Sequence, residues 1–97
     1  MPQVNIQGQA TDNIQSFIKI GIENQLRIIS FGISKTKRKL EFLEKEAGMD
    51  SRNFYRQFME GRLGDDLKFI KWAGEYETLE HLEEDQRELQ EFINRCL

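Results

Sequence analysis

This chain has very little proline, cysteine or histidine. Its 97 residues include one proline, one cysteine and one histidine. Because the proline is Pro2, everything after it is free to be helical. The lone cysteine, Cys96, allows no internal disulfide, and no run of about 18 apolar residues is present to span a membrane. With a polar start that does not resemble a signal peptide, we expect one cytoplasmic domain.

The groupings of residues that catalysis requires are also missing. The sequence has no glycine-rich phosphate loop, and Cys96 has no basic neighbour that would activate a thiol. His81 can share a helical face with Glu77 and Glu84, but one imidazole and two carboxylates on one helix are a weak metal signal. We therefore expect no enzymatic activity, no metal and no cofactor.

Apolar residues at steps of three and four predict a long first helix over residues 12–47. Thr11 or Asp12 is a suitable N-cap, and Gly48 a suitable C-cap. The stripe comprises Ile14, Ile18, Ile22, Leu26, Ile29, Ile33, Leu40, Leu43 and Ala47, with Thr36 bridging one gap. Residues 1–10 give little signal. Val4 and Ile6 alternate with polar residues as in a strand, but we expect a flexible arm.

Two further helices follow. A short one is predicted over residues 51–60, begun by Asp50 or Ser51 and ended by Gly61. A long one is predicted over residues 66–96, capped by Asp65 or Asp66. Its near-heptad seam favours near-parallel packing, and comprises Trp72, Tyr76, Leu79, Leu82, Gln86, Leu89, Ile93 and Cys96.

These segments predict an all-α fold, a long antiparallel helical hairpin with a short corner helix. The two long helices should have similar lengths, on the order of 50 Å each. The residues expected to anchor the corner are aromatic: Trp72, Tyr76, Phe54 and Phe58.

The first helix carries more apolar surface than one partner helix can cover. The excess lies on an arc beside the main stripe, and comprises Phe17, Ile20, Ile28, Phe31 and Phe42. Two interpretations stay open. A second copy of the chain covers this arc in a dimeric helical bundle, or a different protein does so.

Charge is unevenly divided along the chain. Residues 1–40 hold six Lys or Arg and two Asp or Glu, a net charge of +4. Residues 41–97 hold eight Lys or Arg and 15 Asp or Glu, a net charge of −7. The basic cluster Lys35–Lys39 is spread around its helix, so a solvated or partner-facing patch is favoured over direct DNA contact. In the acidic last helix, Glu80, Glu84 and Glu88 are candidate contacts for a basic partner.

The centre of the sequence resembles a group of small prokaryotic proteins. The residues that carry the resemblance are Gly48-Met49, Ser51, Phe54, Phe58, Gly61-Arg62-Leu63-Gly64-Asp65-Asp66 and Trp72-Ala73-Gly74-Glu75-Tyr76-Glu77. The similarity extends from about Ile14 to Leu82, and departs at Glu46-Ala47, where the group has a more polar end with a tyrosine.

Members of this group are encoded beside short predicted toxins and treated as antitoxins. The resemblance therefore implies a non-catalytic protein that binds and neutralises a co-encoded toxin. The alternative is a homodimeric assembly protein or transcriptional regulator, in which an N-terminal ribbon through Val4 and Ile6 would pair across a dimer and read DNA.

Overall fold

A computed structural model of the chain describes the backbone of residues 6–97 and the side chains from residue 12 onward. Over that range the chain forms three α-helices, α1 (Ile6–Ala47), α2 (Ser51–Met59) and α3 (Leu67–Cys96). The described residues include no strand, and α1 contacts α3, so the prediction of an all-α helical hairpin is confirmed. None of these helices has an apolar stretch long enough to cross a membrane.

Polar contacts between α1 and α3 define an antiparallel arrangement. Gln86 donates to Ser30, Lys39 pairs with Glu75 at 3.4 Å, and Lys68 pairs with Glu46 at 3.3 Å. Residue numbers rise along one helix as they fall along the other. The helices also approach closely at Gly32, where a Cβ added to the glycine would lie 3.2 Å from the Leu82 side chain.

The first helix begins earlier than the sequence predicted. α1 starts at Ile6 rather than residue 12, so Asp12 lies inside the helix and Ile6 belongs to it rather than to a flexible arm or ribbon. Val4 lies outside the described residues. The physical reason is that Gln7, Gln9 and Ala10 have good helix propensity, which offsets the cost of Gly8, and no proline separates them from the stripe.

The two long helices also differ in length, against expectation. α1 has 42 residues and α3 has 30, which is about 63 Å against about 45 Å at the usual helical rise. Leu97, after the end of α3, lies beside Asp12 and Lys19, so the first turns of α1 extend past α3.

Both turns of the corner are fixed by caps. Asp50 precedes α2 and accepts a hydrogen bond from the Asn53 backbone N–H at 2.7 Å, while Asp66 does the same for Lys68 at 3.0 Å before α3. Gly48 and Gly61 follow α1 and α2 with φ of 65° and 75°, where a residue with a Cβ would be strained.

Burial extends from the corner to the middle of the hairpin and does not reach its open end. The buried apolar side chains in the described region are Ile29, Ile33, Leu40, Phe54, Trp72 and Ala73. At the open end of the hairpin, Ile14 and Ile18 of the predicted stripe are exposed. Ala47, the last residue of α1, and Cys96, the last residue of α3, are also exposed. A two-helix pair has no third element there, so its seam stays partly open to water.

Candidate partner-binding surface

An aromatic stack holds α2 against α3 and so sets the shape of the surfaces around it. The rings of Phe54 and Trp72 lie 3.8 Å apart and nearly parallel, and both side chains are only 1% exposed. Phe58 and Phe69 pack on Phe54 from either side, with ring centroids at 5.7 and 5.6 Å. The structure thus places Trp72, Phe54 and Phe58 together at the corner.

The buried indole also makes a hydrogen bond that sequence reasoning missed. Trp72 Nε1 donates to the Ser51 hydroxyl at 2.9 Å, and the Ser51 backbone N–H donates to a Glu44 carboxylate oxygen at 2.7 Å. Ser51 is therefore buried and linked to both long helices. The only hint in the sequence was its position at the start of α2, which we interpreted as a cap.

Two tyrosines lie on the outer side of this corner. The Tyr55 and Tyr76 rings are 4.9 Å apart, and the Tyr55 hydroxyl donates to a Glu77 carboxylate at 2.6 Å. They border an open cleft of about 450 Å³ between α2 and α3, whose charged lining comprises Asp50, Arg52, Arg56 and Glu80. This mixed lining favours polar contacts of either sign and does not isolate a reactive group.

The surroundings of the two tyrosines make their hydroxyl groups lose the proton at a higher pH than usual. The hydrogen bond to Glu77 is the main cause that raises the pKa of Tyr55 to about 12, and desolvation by burial is the second cause. Burial also raises the pKa of Tyr76. Because Tyr55 has a higher pKa folded than unfolded, its stabilising effect is complete below pH 10 and is lost as pH rises towards 12. Glu77→Gln should lower the pKa of Tyr55.

Near-ultraviolet absorbance of tyrosinate measures this directly, since the chain has two tyrosines. Tyr55→Phe leaves Tyr76 as the only signal and assigns the two transitions. An unchanged titration in Glu77→Gln would show that the carboxylate does not hold the Tyr55 proton.

The largest exposed apolar feature is on α1. We call it the α1 stripe, and it comprises Phe17, Ile20, Ile28, Phe31 and Phe42. These side chains are 54 to 70% exposed. At about 100° per residue, the stripe is centred roughly 160° around α1 from the buried face at Ile29 and Ile33. The hairpin therefore buries one face of α1 and leaves this second apolar face in water.

The acidic side of α3 is a second exposed feature, distinct from the α1 stripe. Glu80, Glu84 and Glu88 are exposed, and we call them the acidic strip. Glu80 borders the tyrosine cleft, while Glu84 pairs with Arg87 at 3.4 Å. Both members of that pair are mostly exposed, so it contributes little stability and leaves the strip available to a basic surface.

The remaining candidates from the sequence do not assemble into a site. His81 is exposed, and the described residues contain no group of three or more His, Cys, Asp or Glu side chains able to hold a metal. In the basic cluster, Thr36 is buried and the four basic side chains are exposed around it. Lys39 among them pairs with Glu75.

Sequence reasoning missed several exposed apolar residues outside α1. Leu67 and Ile70 begin α3, Met59 ends α2, and Phe92 lies near the open end of α3; these side chains are 43 to 64% exposed. Leu67, Ile70 and Phe92 fall off the heptad seam of α3, which is the signal that could have identified them.

Comparison with protein-family models, curated proteins and solved structures finds no match to this chain.

Proposed function

We propose that this chain is a non-catalytic protein-binding module that acts as the antitoxin of a co-encoded toxin. The observation that carries the proposal is the amount of apolar side chain that the hairpin leaves in water, on the α1 stripe and also at Met59, Leu67, Ile70 and Phe92. Burying one such side chain contributes about 1.5–3 kcal/mol, so covering several supplies enough free energy for stable association.

The acidic strip supports the same function in a different way. Exposed charges on one surface accelerate encounter with a partner of opposite charge and disfavour partners of the same charge. Toxins that act on nucleic acid need a basic surface to bind phosphate. An acidic helix that docks on such a surface competes with phosphate and blocks the toxin without any chemistry of its own.

The direct test is to express the adjacent gene with and without this chain and follow growth. Growth should stop with the neighbour alone and recover on co-expression, and the two products should co-purify. If the neighbour is harmless alone, or if this chain neither binds its product nor restores growth, the antitoxin proposal is wrong.

Reversal of the acidic strip tests the electrostatic part of the proposal. Glu80→Lys, Glu84→Lys and Glu88→Lys together should slow association with the toxin at least about tenfold at low salt, and the wild-type rate should fall as salt rises. Glu77 is left intact because it holds the Tyr55 hydroxyl. Surface plasmon resonance at several salt concentrations measures these rates.

A matched control separates local charge from net charge. Asp12, Glu23 and Glu41 are exposed on one face of α1, at separations close to whole helical turns. Reversing these three residues to lysine changes the net charge by the same amount. The control should retain rapid association; equal slowing by both variants would show that the acidic strip is not the docking surface.

A further inference from the structure

The apolar residues of the α1 stripe are arranged symmetrically about Asn24. Phe17 and Phe31 lie seven residues before and after Asn24, and Ile20 and Ile28 lie four residues before and after it. All five side chains are exposed. At helical spacing, separations of four and seven residues keep them on one face, with Asn24 at its centre.

Such an arrangement is self-complementary under a two-fold axis. When two identical helices pack antiparallel about an axis at one residue, each residue faces the position equally far on the other side of that residue. Phe17 would face Phe31 of the second copy, and Ile20 would face Ile28. We propose that a second copy of this chain covers α1 between Phe17 and Phe31, with the two α1 helices antiparallel about a two-fold axis at Asn24.

Charge favours the antiparallel orientation over the parallel one. The same face of α1 becomes basic towards the C-terminal end of the helix, at Lys35, Arg38 and Lys39. A parallel pair would place the two basic clusters side by side. In the antiparallel pair the two copies of Lys35 are 22 residues apart along the axis, or about 33 Å. That distance is several times the screening length of about 8 Å at physiological salt, so their repulsion is negligible.

The residues beside the axis fit a close approach of two helices. Arg27 and Gly21 lie three residues on either side of Asn24, so each Arg27 would lie across Gly21 of the second copy. A side chain built at Gly21 would meet no described atom within 4 Å, so the hairpin itself gives no reason for glycine there. Asn24 at the axis would face its own copy, as polar residues that fix helix register do.

The available area predicts a dimer of moderate affinity. Each of the four apolar side chains would remove on the order of 100 Å² from water, so these residues account for about 800 Å² over two copies. Stable specific interfaces bury about 1,200–2,000 Å², and the flanks of the two α1 helices must supply the rest. The inference goes beyond the proposed function, because the acidic strip and the exposed apolar residues of α2 and α3 lie outside a contact between two α1 helices.

Sedimentation velocity from low to high micromolar protein concentration tests whether a second copy of the chain covers this face of α1. Wild type should form a dimer, and Phe31→Asp should raise its dissociation constant at least about tenfold, because it places unpaired charges in an apolar contact. Met59→Asp is the matched control, since Met59 is 64% exposed against 67% for Phe31 but lies on α2, outside the α1 contact. Circular dichroism checks that both variants keep their helices.

Disulfide trapping in a Cys96→Ser background tests the orientation. Asn24→Cys should link two chains at the axis, whereas Lys35→Cys should not. Linkage at both positions would indicate a parallel pair and overturn the proposal, as would linkage at neither. A wild-type monomer at high micromolar concentration would also overturn it, as would an equal rise of the dissociation constant in Met59→Asp. None of these outcomes involves the adjacent gene, so they are independent of the antitoxin test.

Discussion

Replacing Trp72 with alanine should destabilise the protein by about 3–5 kcal/mol, the usual range for removing a fully packed aromatic side chain. Trp72 is 1% exposed, stacks on Phe54 and donates to Ser51, so the substitution removes packing and a buried hydrogen bond together. A chain of this size has a total stability of roughly 5–15 kcal/mol. The variant should therefore unfold at far lower urea concentration than wild type, or be unfolded without urea.

Urea unfolding followed by far-ultraviolet circular dichroism measures the difference. All variants must be compared at one protein concentration, because association shifts apparent stability. Phe42→Ala is the control, since an exposed side chain should change stability by less than about 0.5 kcal/mol. Trp72→Phe should lie between the two, because it keeps an aromatic ring but leaves the Ser51 hydroxyl without its donor. A loss below about 1 kcal/mol in Trp72→Ala would contradict its role in the corner.

Phe54→Ala should be of similar severity, at about 3–5 kcal/mol. Phe54 is the centre of the aromatic cluster, because Trp72, Phe58 and Phe69 all pack on its ring. Its loss would also detach α2, whose buried residues are Ser51 and Phe54. Thermal unfolding and urea unfolding of the purified variant measure this effect. Phe58→Ala is the matched control and should cost less, since Phe58 is only half-buried.

A double-mutant cycle tests whether the stack acts as a unit. Phe54→Leu and Trp72→Leu keep an apolar side chain at each position and remove the parallel rings. Stacked aromatic pairs are worth about 0.5–1.5 kcal/mol beyond the area that they bury, so the two losses should not be additive. Additive losses would mean that each side chain is stabilised independently, by burial alone.

The helical character of the chain was predictable because helix signals are local. The stripe from Ile22 to Leu43 and the caps at Asp50 and Asp66 depend on residues a few positions apart, and the structure has helices at these places. The start of α1 was predicted six residues late because a strong N-cap pattern at Thr11 and Asp12 also fits the interior of a helix. Caps favour an end but do not force one.

The surfaces required a different kind of information. Helical spacing alone places Phe31 and Phe42 on a second apolar arc of α1, so their identity as excess surface could be inferred from the sequence. Their exposure depends on where α3 and α2 pack, and only the structure shows that neither helix covers them. The symmetry about Asn24 is present in the sequence, but it acquires meaning only once that face is known to be uncovered.

Local signals in the sequence are enough to predict the all-α class, the three helices, their turns at Gly48 and Gly61, and the division of charge between the two halves. These follow from propensity, periodicity and composition, which act over a few residues. Only the packing of the helices places Trp72 parallel to Phe54 and hydrogen-bonded to Ser51, joins Tyr55 to Glu77, and gathers the core cluster around Phe54 at the corner. Such contacts join residues about twenty or more positions apart, and their geometry depends on how whole helices pack.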